Sequence, residues 1–139
     1  MKGLRRVAGL HGRLLNVADV VKAADGPRLR VALAQIDVTV GDIEGNAERI
    51  RASISRARAM AVDLVVLPEM ALCGYPAEDL LLRPEFALAN HQAMSDLAPA
   101  SSGLVVVVGM AHRVGDDLFN AAALLCDGRW VDTCHKAYL

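Results

Sequence analysis

Three strand-length apolar runs, separated by stretches of helical period, constrain this chain more than any other feature. The runs are LRVALAQIDV, DLVVLP and GLVVVVGMAHRV. Each ends at turn residues, and none approaches the ~20 residues of a membrane-spanning helix. The first is apolar nearly throughout, which predicts burial on both sheet faces. Between the first two, residues 46–60 carry Ile50, Ile54 and Ala57, with Ala61 just beyond, on one helical face, and Asn46 is the expected N-cap. Before the third, residues 84–98 read as a second helix with Pro84 in its first turn. Two more strands, LFNAAALLC and RWVDTCHK, are joined by the hairpin turn Asp127-Gly128. Strand and helix alternate, then give way to a hairpin. That order predicts an α/β layer built on a partly parallel sheet.

The bulk of the sequence excludes several function classes. At 139 residues the chain suits one small domain. Its net charge of -1 supplies no basic field for nucleic acid, and no run long enough for a membrane span is present. Cys73, Cys126 and Cys134 are odd in number and unrelated in spacing, so a disulfide framework is not expected and a reducing cytoplasm is. His11, His91, His112 and His135 lack metal-ligand spacing and read as surface or helix-face residues. The pairs Gly9/Gly12 and Gly41/Gly45 do not open a strand-to-helix phosphate loop. Residues 1–27 differ from the rest, with Lys2, Arg5, Arg6, Arg13 and Lys22 against Asp19 and Asp25. They are read as an N-terminal extension, helical or poorly ordered, that joins a domain over 28–139 at Gly26-Pro27; a targeting peptide is the other reading.

In such sheets, functional side chains gather where strands end. Glu69 stands where DLVVLP stops, and Lys136 stands at the end of the last strand. Alone, each would be a solvated surface charge. Together they would reach a common cleft. Cys134 lies two residues before Lys136 on the same strand face and is the best resident thiol. All three cysteines are nonetheless expected to be inert. Asn120 is expected to tie down backbone beside the hairpin.

Five ordered pieces, RVALAQIDVTVGDIEGNAERI, DLVVLPEMALCGYPAEDLLLRPEF, VVVVGMAHR, FNAAALLCDG and CHKAYL, resemble the nitrilase superfamily of carbon–nitrogen hydrolases. Within it, the stretch GYPAEDLLLRP is similar to the glutaminase domains of glutamine-dependent NAD synthetases. The resemblance covers the chain from about Leu29 onward. It implies part of an α-β-β-α sandwich. It also implies Glu69 as general base, Lys136 as the cation that stabilises an oxyanion, and Tyr75 near the glutamine site. The chemistry is coherent. A carboxylate takes the proton of a thiol that is mostly protonated at neutral pH. A fixed ammonium then stabilises the charge that builds on the amide oxygen.

The same resemblance places the nucleophilic cysteine well downstream of the lysine, beyond Leu139. The expectation is therefore an N-terminal piece of a glutaminase that feeds ammonia to ATP-dependent NAD synthesis and is inactive alone. No cofactor belongs to this portion; ATP would be used by the absent synthetase domain. Glutamine is the implied small-molecule substrate, and a homo-oligomer the implied assembly. Half a sandwich would expose an apolar sheet face and open edges, so a marginal or self-associating chain is expected. Two alternatives stand beside this reading: a non-catalytic truncated module, and a piece of another carbon–nitrogen hydrolase.

Overall fold

The computed structural model describes residues 28–137 and the backbone of two short pairs, Val7–Ala8 (β1) and Leu14–Leu15 (β2). These pairs form a small antiparallel ladder. The expectation of an extension over 1–27 otherwise falls outside the described residues.

Five strands make the main sheet, in the spatial order of their sequence. They are β3 (Val31–Leu33), β4 (Leu64–Val66), β5 (Val105–Val114), β6 (Asp117–Cys126) and β7 (Arg129–His135). β3, β4 and β5 run parallel, and β5, β6 and β7 run antiparallel. Helices α1 (Ile43–Ala59) and α2 (Pro84–Leu97) supply the crossovers between the parallel strands. The expected element order and partly parallel sheet are what the chain forms. Among the described residues, no helix is long and apolar enough to cross a membrane.

Both helices cover the same sheet face. Ile50 and Ile54 of α1 and Met94 and Leu97 of α2 share one buried cluster with Val65, Val106, Val108, Ala123 and Leu125. The alternation along each strand follows from the pleat. In β4 and β5, Leu64, Val66, Val105 and Val107 point to the other face and are only half-buried.

Three local expectations are corrected. Asn46 is not the cap of α1. Asp42 is, accepting a hydrogen bond from Gly45 N, and the helix starts three residues earlier. Asn46 is instead fully buried. Its Nδ2 donates to Thr39 O at 2.8 Å and Leu72 O at 3.1 Å, and its Oδ1 accepts from Thr39 N. It satisfies backbone groups of two loops that would otherwise be buried without partners. Ala61 does not extend the apolar face, because α1 has ended and Ala61 takes a positive φ of 51°. β3 is not buried on both faces: Val31 is 43% and Leu33 81% exposed. As the edge strand it pairs, among the described residues, with β4 alone, and the helices cover only one of its sides. Its position is set by Arg30, whose N donates to Asp63 Oδ2 at 2.7 Å and whose Nη1 donates to Ala61 O at 2.6 Å.

Candidate active site

The chain leaves β4 through Pro68 and Glu69, then folds back in a tight turn. Gly74 N closes this turn on Met70 O at 2.8 Å, and Leu72 N is anchored to Gly109 O of β5 at 3.1 Å. The turn lies directly on β5. A Cβ on Gly109 would stand 2.3 Å from Pro68 O and 2.5 Å from Met70 N. Only a residue without a side chain lets the two backbones approach this closely. Gly109 therefore sets the height of Glu69 above the sheet.

Lys136 follows β7 directly, and its backbone N donates to Asn120 O of β6 at 2.9 Å. A bulge decides which way Lys136 faces. From the hairpin, Cys126 pairs with Arg129 and Leu125 with Trp130; after the irregularity, Leu124 pairs with Asp132 and Ala122 with Cys134. Val131 is the extra residue. Directly opposed residues share a face, so this single insertion moves Cys134 and Lys136 to the side of Ala122 and Asn120. That is the face away from the helices, and it is where Glu69 stands.

The ends of β4 and β7 and the middle of β5 and β6 thus line an open cleft of about 450 Å³ that includes Val66, Glu69, Val107, Asn120, Cys134 and Lys136. Lys136 Nζ lies 3.0 Å from Glu69 Oε1. Asn120 Nδ2 donates to the same oxygen. Both side chains of the ion pair remain about half exposed, 44% for Lys136 and 50% for Glu69. The Lys136 hydrogen bond first, then that from Asn120, holds the Glu69 carboxyl below its ordinary value. Glu69 is thus ionised at neutral pH, the state a proton acceptor needs.

The structure brings Glu69 and Lys136 together in one cleft, which their strand-end positions allow and the β7 bulge decides. Tyr75 is 67% exposed and is not among the residues lining this cleft. Cys134 lines the cleft, but no hydrogen bond among the described residues joins it to Glu69. Cys73 is fully buried, and burial pushes its thiol up, away from thiolate. Asn120 does more than hold backbone, since its side chain reaches Glu69. Its position opposite Ala111, on the face of Ala122, is the structural signal for that role. Among the described residues, no group of His, Cys, Asp and Glu is placed to hold a metal. His91 and His135 are exposed, as the surface or helix-face reading expects, but they do not lie apart. His91, His112 and His135 converge with Trp130 on the helix side of the sheet, and His112 Nδ1 lies 2.9 Å from His135 Nε2. Burial, then the nearby imidazoles of His135 and His91, hold His112 below its ordinary value.

The profile of the carbon-nitrogen hydrolase family matches residues 30–139. The chain belongs to that family. Carbon–nitrogen hydrolases similar to it include the glutamine-dependent NAD(+) synthetase of Xylella fastidiosa strain Temecula1, 46% identical over 112 residues. That match covers 80% of this chain and 21% of the relative. The protein of the same name from Thermotoga maritima is 40% identical over 113 residues, covering 81% of this chain and 20% of its own. The chain thus spans about one fifth of the length of these relatives. Among solved structures, a glutamine-dependent NAD(+) synthetase from Cytophaga hutchinsonii superposes with a TM-score of 0.77 at 26% identity, covering 80% of this chain and 19% of that one. An amidase from Nesterenkonia sp. superposes with a TM-score of 0.68 at 20% identity, covering 80% and 43%, and shares the fold.

Proposed function

We propose that this chain is the N-terminal part of a glutaminase domain that releases ammonia from glutamine for NAD synthesis. The observation that carries this reading is the Lys136–Glu69 pair, 3.0 Å apart in one cleft. The similarity to glutamine-dependent NAD(+) synthetases supplies the substrate class. The nucleophile is a cysteine outside these 139 residues. ATP use belongs to a synthetase portion that is likewise outside them. Tyr75 borders the glutamine site, the protein works in the cytoplasm, and it assembles as a homo-oligomer.

The roles follow from the chemistry of each group. Glu69 takes the thiol proton as sulfur attacks the side-chain amide carbon of glutamine. Negative charge develops on the former carbonyl oxygen, and the Lys136 ammonium stabilises it. When the tetrahedral intermediate collapses, the carbon–nitrogen bond breaks and the leaving amine takes the proton from Glu69 as ammonia. A thioester remains. Glu69 then deprotonates water, which attacks the thioester carbon and releases glutamate and the thiol.

The test is ammonia release from glutamine by the protein carrying the downstream cysteine. Activity lost on Glu69→Gln and on Lys136→Met supports the reading. A protein that ignores glutamine but hydrolyses another amide would assign the site to a different carbon–nitrogen hydrolase. Full activity of Glu69→Gln would remove the site altogether.

A further inference from the structure

Glu69 has two carboxylate oxygens, and the structure treats them differently. Lys136 Nζ and Asn120 Nδ2 both donate to Oε1. No donor among the described residues meets Oε2. We propose that Asn120 is a positioning residue that, with Lys136, clamps Oε1 of Glu69 and so makes Oε2 the oxygen that exchanges protons in the cleft. This assignment rests on the glutaminase reading for its catalytic meaning, but the clamp itself is a matter of geometry.

Lys136 alone could not impose that orientation. Its ammonium is a point charge on a flexible stem, and it holds a carboxylate without fixing its plane. Asn120 is short and rises from β6, the middle strand of the antiparallel part, opposite Ala111. Its two ends act on the two partners. The backbone O of Asn120 accepts from Lys136 N at 2.9 Å, and its side-chain amide donates to Glu69. One residue therefore sets the separation of the two charged groups.

The arrangement also suits both protonation states. A proton arriving at Oε2 leaves Oε1 as a carbonyl-type acceptor, so both hydrogen bonds persist. Neither donor is orphaned midway through a reaction, which would cost stability at that moment. Lys136 spends one of its three N–H donors on Oε1 and keeps the other two for a developing oxyanion.

The test is a carbon-13 titration of the Glu69 carboxyl in this chain, assigned by its loss in Glu69→Gln. Asn120→Ala and Asn120→Leu both remove the donor, so the midpoint is expected to move upward in each. A residue that merely braced the hairpin would leave it unchanged, and an unchanged midpoint overturns the proposal. Should both variants fail to fold, the unaltered chain decides. The Asn120 side-chain amide signal is expected to follow the Glu69 midpoint, and a signal indifferent to it overturns the clamp. In the form that carries the downstream cysteine, Asn120→Ala is expected to lower kcat about 10-fold, leave KM for glutamine nearly unchanged, and move the acid limb of the pH profile upward. A shifted titration in a protein that does not hydrolyse glutamine would uphold the clamp and reject the glutaminase reading instead.

Discussion

The two faces of the sheet are made of the same residue types and do different work. On the helix side, Val65, Val106, Val108, Ala123 and Leu125 are buried beneath α1 and α2. On the other side, Leu64, Val66, Val105, Val107, Ala122 and Leu124 alternate with them, equally apolar but only half-covered. The pleat alone assigns each residue to its face. What differs is the cover. The covered face concentrates the packing that holds the domain together. The open face holds the cleft and the ion pair, and its apolar rows cross in register from Leu33 through Val66 and Val107 to Leu124. Stability and chemistry are thus separated by one sheet thickness.

Substitutions can break that contrast in a graded way. The largest effect is expected from deleting Val131, which removes the bulge and returns Lys136 to the helix face. On the glutaminase reading, in the form that carries the downstream cysteine, losing Lys136 from the cleft should reduce glutamine hydrolysis by about 10²–10³-fold, the usual worth of one oxyanion donor. Circular dichroism should show the sheet retained; activity near the parent level would mean that the bulge does not aim Lys136.

Next comes the covered face. Ile54→Ala should cost about 2–5 kcal/mol in urea unfolding, since Ile54 is fully buried between helix and sheet. Val107→Ala, on the open face, should cost clearly less, because part of its surface is already wet. Equal losses at the two positions would show that the open face is buried in solution.

A smaller effect is expected from Gly109→Ala, about 1–3 kcal/mol, the usual range for overpacking. The added methyl meets backbone, which cannot rotate away, so the turn bearing Glu69 must rise. An unperturbed Glu69 titration in that variant would separate the turn from β5.

The smallest is the pH dependence of the ion pair. Glu69 is held below its ordinary value when folded, so its contribution is present above the unfolded carboxylate range. It is lost as pH falls through the folded value. Lys136→Met should therefore cost under about 1 kcal/mol at pH 7, as befits a half-exposed pair, and nothing once Glu69 is protonated in both states. A difference that grows toward acid pH would reverse the sign of this coupling.

Much of the architecture was legible from local pattern. The helix over α2 and the hairpin at Asp127-Gly128 follow from period and turn residues that act over a few positions. The misreadings share a different cause. Asn46 looks like a cap because its type favours caps, yet its amide is drawn to Thr39 and Leu72, the latter 26 residues away. The β3 segment looks like a central strand because it is apolar, but apolarity does not say whether a strand has one neighbour or two. Asn120 looks like a backbone brace because its carboxylate partner is 51 residues distant. Each error concerns a contact across sequence, where propensity carries no information.

Sequence by itself determined the order of strands and helices, and it placed Glu69 and Lys136 at strand ends, because period and turn chemistry are local. Only the tertiary structure decided that the two would meet. A strand repeats every two residues, so one extra residue at Val131 reverses every side chain beyond it. Counting from the hairpin turn without that bulge sends Lys136 to the wrong face. The packing of β7 against β6 sends it to Glu69.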